Sequence, residues 1–336
     1  MKTLNDKSLK AFIGMIAFAA VLLLAQQRAS AQAAVSTLTD KDITVTEFNS
    51  INVADNFDVT LSRGSYGVRL TVDKDLAPYV EAFVRSKTLF LSYDEKSVPK
   101  DIKKQYKGKS GLNAVFRVVV YMPEIQSITL GDNAILSGVD EFSSSLFELT
   151  AAGKAMVKSL NVNASSAKIN LKKNTLVALN LRADRGVEVN TDNNANLKMT
   201  LNADELAMNA DGSSVINISG SVRMMNFNTA GSAQVTVSSD SADNVELTTE
   251  GSSKVSLTGS ARSLTIKGSR NSAVDAFAMP VDQVDANLSN SATATVTVYR
   301  LVSASLVGGS SLYFSGSPEF RIGKIMKSTL APFGSK

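Results

Sequence analysis

The chain of 336 residues contains no cysteine, no histidine and no tryptophan. Without Cys there is no thiolate nucleophile, no disulfide and no thiol to carry a lipoprotein anchor. Without His there is no imidazole base, and zinc or copper sites built on His or Cys are excluded. A strong charge of either sign is lacking too, since Lys and Arg number 35 against 31 Asp and Glu. The first 31 residues hold Lys2, Lys7, Lys10 and Arg28 against Asp6, which is +3 of the total +4. The pI of about 9.0 therefore owes most of its basicity to that segment. Nucleic acid is not an expected partner, because the remaining charge is close to balanced.

The same segment reads as an export signal. Lys2, Lys7 and Lys10 form a positive start, Ala11–Ala25 is an apolar run free of charge, and Ala29-Ser30-Ala31 supplies small residues for cleavage before Gln32. Those 15 apolar residues are fewer than the ~20 that span a bilayer, and no second run of that length follows. The expectation is a signal peptide over 1–31, a flexible segment over 32–42, and no transmembrane span after cleavage. The exported protein would reside in the periplasm, at the cell surface or outside the cell.

What the sequence has in abundance is a repeat. "NADGSSVINISGS" at 209–221, "NTAGSAQVTVSSD" at 228–240 and "TTEGSSKVSLTGS" at 248–260 share one plan. With Val245 as position 0, the even offsets to +12 are Val245, Leu247, Thr249, Gly251, Ser253, Val255 and Leu257. Equivalent series begin at Phe147, Leu206, Met225, Leu264, Val284 and Val302, the last six starts lying 18 to 20 residues apart. Offset +6 is Gly in five of the seven copies, and +8 is Ala or Ser in all seven.

A period of two places 0, +2 and +4 on one side of a strand and +1 and +3 on the other. The latter carry Asn226, Asn228, Glu246, Thr248, Asp285 and Asn287, so that side faces water. Gly at +6 permits a backbone bend at positive φ, and a small residue at +8 fits inside a corner. One such coil buries too little to fold alone, so coils must stack and share an interior. The fold class expected is all-β: a right-handed parallel β-helix, or β-solenoid, with coils of about 18–20 residues. A β-sandwich also has turns every 8–12 residues, but has no reason to keep a small residue at one offset through seven copies.

Regular coils are expected over about 147–316 within one domain spanning 43–316. Upstream, Leu160–Leu171 reads as one residue short, and Leu179–Val189 has Arg185 where the corner Gly is expected. Residues 190–205 then read as an extra short strand. Residues 43–120 alternate strongly but lack the repeat, as in a less regular β region that begins the solenoid and caps it. Residues 317–336, with Pro318 and Pro332, are expected to cover the other end and fray.

"FNSINVADNFDVTLSRG", "LAPYVEAFVRSKTLFLSYDE", "VVVYMPEIQSITLGDNAILSG" and "LVGGSSLYFSGSP" resemble the autotransporter adhesin head domain family, also called the GIN domain. The resemblance covers nearly all of 43–317. It implies a β-helical exported bacterial protein with a role in adhesion, and it assigns no site residues.

Chemistry is sparse. Polysaccharide lyases and hydrolases built on β-helices need carboxylates on neighbouring coils, with Ca²⁺ or a base in some. Asp211 and Glu250 share offset +5, but Ala230 lies between them. Asp55 with Asp58, and Asp282 with Asp285, are turn or solvated positions by composition. "GDNAILSG" at 131–138 and "TDNN" at 191–194 have the composition of Ca²⁺ loops without repeated ligand spacing. Ser residues lack a His partner, so the usual triad is not available. No cofactor and no metal are expected, and the expected function is a non-catalytic, adhesin-like or structural module of the cell envelope. The alternative is a polysaccharide-active β-helix enzyme. One insertion, 95–113, gathers Lys100, Lys103, Lys104, Lys107 and Lys109 around Ile102 and Tyr106. It is a candidate contact for anionic glycan, lipid headgroups or another envelope component, against the simpler reading of a solvated loop.

Export processing has a direct check. N-terminal sequencing of the exported protein should begin at Gln32, and recovery of Met1 would contradict the signal reading.

Overall fold

The computed structural model describes residues 37–54, 56–108 and 111–334, so the expected signal segment 1–31 lies outside it. Its strands are β1 (Leu38–Ile43), β2 (Ser50–Val53), β3 (Asp58–Arg63), β4 (Gly67–Asp73), β5 (Val80–Arg85), β6 (Thr88–Tyr93), β7 (Lys107–Gly108), β8 (Gly111–Leu112), β9 (Phe116–Met122) and β10 (Ser127–Leu130). Long strands follow: β11 (Ile135–Ala151), β12 (Met156–Lys172), β13 (Leu176–Asp192), β14 (Asn196–Ala210), β15 (Val215–Thr229), β16 (Gln234–Thr249), β17 (Lys254–Gly268), β18 (Ala273–Ser289) and β19 (Thr293–Val307). The described residues end with β20 (Ser311–Ser315), β21 (Glu319–Met326) and β22 (Thr329–Pro332); among them one short α-helix, α1 (Lys100–Gln105), and two 3-10 turns at Ala77–Tyr79 and Glu95–Ser97 interrupt the β structure.

The result is a β-solenoid of about 10 turns. Each long strand of 15 to 17 residues is most of a coil, pairs in parallel with the strands before and after it, and bends midway. The bend is where the pairing register usually slips, as between Ser239 and Ala242. Gly259 occupies one such bend at φ +116°, where an added Cβ would lie 1.7 Å from the Ser239 carbonyl oxygen. Only glycine fits that approach of backbone to backbone.

The repeat in the sequence is the register of the coils. Leu206, Met225, Val245, Leu264, Val284 and Val302 are successive Cα partners, all buried. Residues at +6 hold φ between +50° and +76°: Gly153, Gly212, Gly231, Gly251, Arg270, Asn290 and Gly308. Those at +8 (Ala155, Ser214, Ala233, Ser253, Ser272, Ala292 and Ser310) are at most 1% exposed. Buried hydroxyls are partnered inside, as Thr249 Oγ1 donates to Ser272 Oγ at 3.1 Å. The Gly-Ser-Ser motif is thus a left-handed corner with its small side chain turned inward.

Three upstream readings are corrected: the short coil at Leu160–Leu171, the corner at Arg185 and the extra strand over 190–205. Phe147 pairs with Ala167, Ala167 with Val187 and Val187 with Leu206, so 190–205 is no extra strand. The corner positions of these coils are Lys173 (φ +66°) and Asn193 (φ +61°), with Thr175 and Ala195 buried at +8. Asn tolerates the left-handed region, and the coils are full length. Without Gly as punctuation, the phase was lost.

The N-terminal region differs for a topological reason. β6 and β2 pair, as do β2 and β10; β9 and β3 pair, as do β3 and β11. The coil made by 88–122 therefore lies outside the coil made by 50–63, against the order of the chain. β5 and β4 then run antiparallel to β6 and β9, and β1 adds antiparallel to β4. The expected flexible segment 32–42 thus contributes residues 38–42 to a strand. At the other end, β21 and β22 continue the parallel stack on β19 and β20, so the described residues from 319 to 332 form a further coil. Its inward positions Phe320, Ile322 and Ile325 are 42–46% exposed, while their partners Val302, Ala304 and Leu306 are buried.

Replacing Ser253 with Leu should force a large side chain into the closed corner and cost about 1–3 kcal/mol. Outward-facing Thr248→Leu should cost little. Chemical denaturation of both variants checks this, and equal midpoints would contradict the corner assignment.

Candidate functional site: a polar ladder and groove

Stacking in register turns every outward offset into a column. Offset +3 carries Asn170, Asn190, Asn209 and Asn228 on four consecutive coils. Their side chains form a chain of hydrogen bonds: Asn190 Nδ2 donates to Asn170 Oδ1 at 3.1 Å, Asn209 to Asn190 at 2.8 Å, and Asn228 to Asn209 at 3.0 Å. The column continues in polar residues through Thr248, Lys267, Asn287 and Ser305.

Beside it, offset +5 carries Lys172, Asp192, Asp211, Ala230 and Glu250. The two columns enclose an open groove of about 290 Å³. Asp192 was missed in the sequence because the phase of its coil was misread, yet it stands one coil from Asp211. Asp211 Oδ1 accepts from the Gly212 backbone N–H at 2.6 Å, and Glu250 is ion-paired with Arg270. Asp192 makes no hydrogen bond or ion pair among the described residues; Lys172 is its register partner on one side and Asp211 follows on the other, so two carboxylates face the groove beside one ammonium group. At its edge, Asn190 also donates to Glu188 Oε1 at 2.7 Å. That bond, with Lys168 nearby, holds the Glu188 carboxyl below its ordinary pKa.

The other sequence candidates scatter. Asp58 lies 3.6 Å from Lys158, Asp285 is exposed on β18, and Asp282 has no partner among the described residues; Asp55 lies outside them. Asp132 and Asn133 form a corner, where Asp132 Oδ1 accepts from the Lys154 N–H at 2.8 Å. In 191–194, Thr191 is buried and Asn194 donates to Asn174 at 3.0 Å. Among the described residues, no group of three or more acidic side chains converges closely enough to hold a metal ion. Of the lysine cluster, Lys103, Lys104 and Lys107 come together around one cavity. Lys100 is exposed at the start of α1, outside that lining, and Lys109 lies outside the described residues.

Residues 47–239 and 225–318 match the family described as "Putative auto-transporter adhesin, head GIN domain". The chain belongs to this family. A solved "putative adhesin" from Parabacteroides distasonis is 17% identical, with 89% of this chain and 98% of that one covered at a TM-score of 0.37. A "putative lipid binding protein" from the same organism is 14% identical, with 89% and 97% covered at 0.35. A "putative adhesin" from Parabacteroides merdae is 15% identical, with 89% and 97% covered at 0.36. No curated protein matches the chain. Among the described residues of this GIN-domain chain, no helix is long and apolar enough to cross a membrane.

The ladder's contribution to stability can be separated from that of an ordinary surface residue. Asn209→Ala removes two ladder bonds and should cost about 1 kcal/mol. Asn226→Ala, exposed and without a side-chain hydrogen bond among the described residues, should leave the urea midpoint unchanged; equal losses would count against the ladder.

Proposed function

We propose that this exported GIN-domain protein is a non-catalytic, adhesin-like module that binds neutral glycan along the groove beside its asparagine ladder. The carrying observation is the continuous column Asn170–Asn190–Asn209–Asn228. A carboxamide has two donor hydrogens and two acceptor lone pairs. Asn209 and Asn228 each spend one hydrogen within the ladder, which leaves a second hydrogen and an oxygen lone pair turned toward water. Sugar hydroxyls both donate and accept, and successive coils offer such an amide every ~4.8 Å along the axis.

Charge sharpens the substrate class. Asp192 and Asp211 face the groove, so a polyuronate brings like charge to it, whereas a neutral glycan does not. Membership of an adhesin family agrees with binding as the task. The enzymatic alternative needs an acid and a base within a few ångströms of one reacting centre. In this groove Glu250 is ion-paired with Arg270 and Asp211 accepts from its own turn, so of the adjacent carboxylates Asp192 and Asp211 only Asp192 is uncommitted among the described residues.

Glycan-array binding by the purified protein should favour neutral over uronate-bearing chains, and Asn209→Leu with Asn228→Leu should abolish it while the protein stays folded. Binding unaffected by both changes would refute the groove. Reproducible unsaturated or reducing-end product from polyuronates or neutral glycans, with or without Ca²⁺ and lost in Asp211→Asn, would establish the enzyme instead.

A further inference from the structure

Between β6 and β9 the outermost coil carries residues 94–115 in place of a four-residue corner. The insertion is pinned to the solenoid through Val98, Ile102 and Tyr106, of which Val98 and Tyr106 are buried and Ile102 packs partly buried against the core. This spacing of four gives α1 and its flanks one apolar side. Lys103, Lys104 and Lys107 fall on other sides, and with Tyr93, Glu95, Gly108 and Leu112 they line an open cavity of about 550 Å³.

The charge of this cavity is uncompensated. Three ammonium groups face one carboxylate, and none of the three makes an ion pair among the described residues. The neighbouring Asp94 carboxylate is turned to the Ser97 hydroxyl and to the Lys96 and Ser97 backbone N–H groups, and makes no ion pair with these lysines among the described residues. Elsewhere on the surface, cations are commonly matched: Lys158 with Asp58, Lys168 with Glu188, and Arg223 with Asp204 and Asp243. The cavity also has apolar walls, in the partly buried Leu112 and in the Tyr93 ring, whose centroid lies 4.8 Å from that of Phe116. Burial, followed by the charge of Glu95, raises the Tyr93 pKa, so its hydroxyl remains a donor at neutral pH.

We propose that this cavity in the N-terminal cap binds a small amphiphilic anion, a phosphate or carboxylate group joined to an apolar body. The ammonium groups take the acid, and Leu112 with the Tyr93 ring takes the apolar part. The volume falls within the roughly 300–1,000 Å³ of small-molecule sites. The site is separate from the asparagine groove and does not rest on glycan binding there.

Calorimetric titration of the purified protein tests it with three probes: decyl phosphate below its micellar concentration, inorganic phosphate, and a decyl glucoside as the neutral amphiphile. Decyl phosphate should bind saturably with one molecule per chain, about tenfold or more tighter than either control. Lys103→Gln with Lys107→Gln should weaken it by about tenfold or more, without shifting the urea midpoint. Leu112→Asp should weaken decyl phosphate far more than inorganic phosphate. Decyl phosphate binding no tighter than inorganic phosphate, or unchanged in the double lysine variant, would overturn the proposal. Co-sedimentation with phosphatidylglycerol but not phosphatidylcholine vesicles, lost in the same variant, would assign the anion to a lipid headgroup. Saturable decyl phosphate binding without co-sedimentation would assign it to a soluble acid. Either result upholds the cavity.

Discussion

Parallel backbone pairing from coil to coil is the constraint on which the rest of this structure depends. Within one coil, extended strands leave their N–H and C=O groups pointing along the solenoid axis, with no partner in the coil itself. A neighbour at ~4.8 Å has to supply them, because unpaired buried backbone groups are costly. Pairing holds residue above residue, so a side chain is judged mainly by what lies one coil before and after it. Val245 must fit against Met225 and Leu264, just as Ser253 must leave room in a corner shared with Ser272. The left-handed residue at +6 answers the same need, reversing the chain in few enough residues to keep the register.

On the outside, the same constraint writes the surface in columns. A polar residue kept at one offset becomes a ladder, and the four asparagines at +3 bond to one another because they are one coil apart. Charges obey the same geometry. Arg223 lies between Asp204 and Asp243 on flanking coils, and Arg262 shares Asp243. These pairs are about half exposed or more, so their energetic worth is small. They do shape which charges are ion-paired and which, like Asp192, make no ion pair among the described residues.

The two ends of the solenoid are treated differently. At the N-terminal end, antiparallel β4 and β5 cover the outermost coil, and the α1 insertion packs over its corner. At the C-terminal end, inward-facing Phe320, Ile322 and Ile325 remain partly open, and Arg321, Lys324 and Lys327 place positive charge along and just beyond β21. Charge on an edge strand discourages unwanted pairing with other strands. The irregular features of the molecule, and its basic cavity, thus gather where stacking stops.

By itself the sequence determined the solenoid, its coil length and its interior columns from residue 206 onward. Alternation of apolar residues and a small residue at one offset are local signals that need no knowledge of neighbours. It also marked the lysines of 100–109 as the one departure from pattern. Only the tertiary structure decided the phase of the coils around Lys173 and Asn193. A non-glycine residue in the left-handed region weakens the local signal, and in the Lys173 coil the small residue at +8 is missing as well, with Thr175 in its place. The reversed order of the first coils was equally hidden, because pairing β6 with β2 and β2 with β10 joins segments that no periodicity links. Asp192 beside Asp211, and three lysines around Tyr93 and Leu112, are juxtapositions of the same kind. They arise from which coil lies against which, and sequence spacing records that only where the repeat is unbroken.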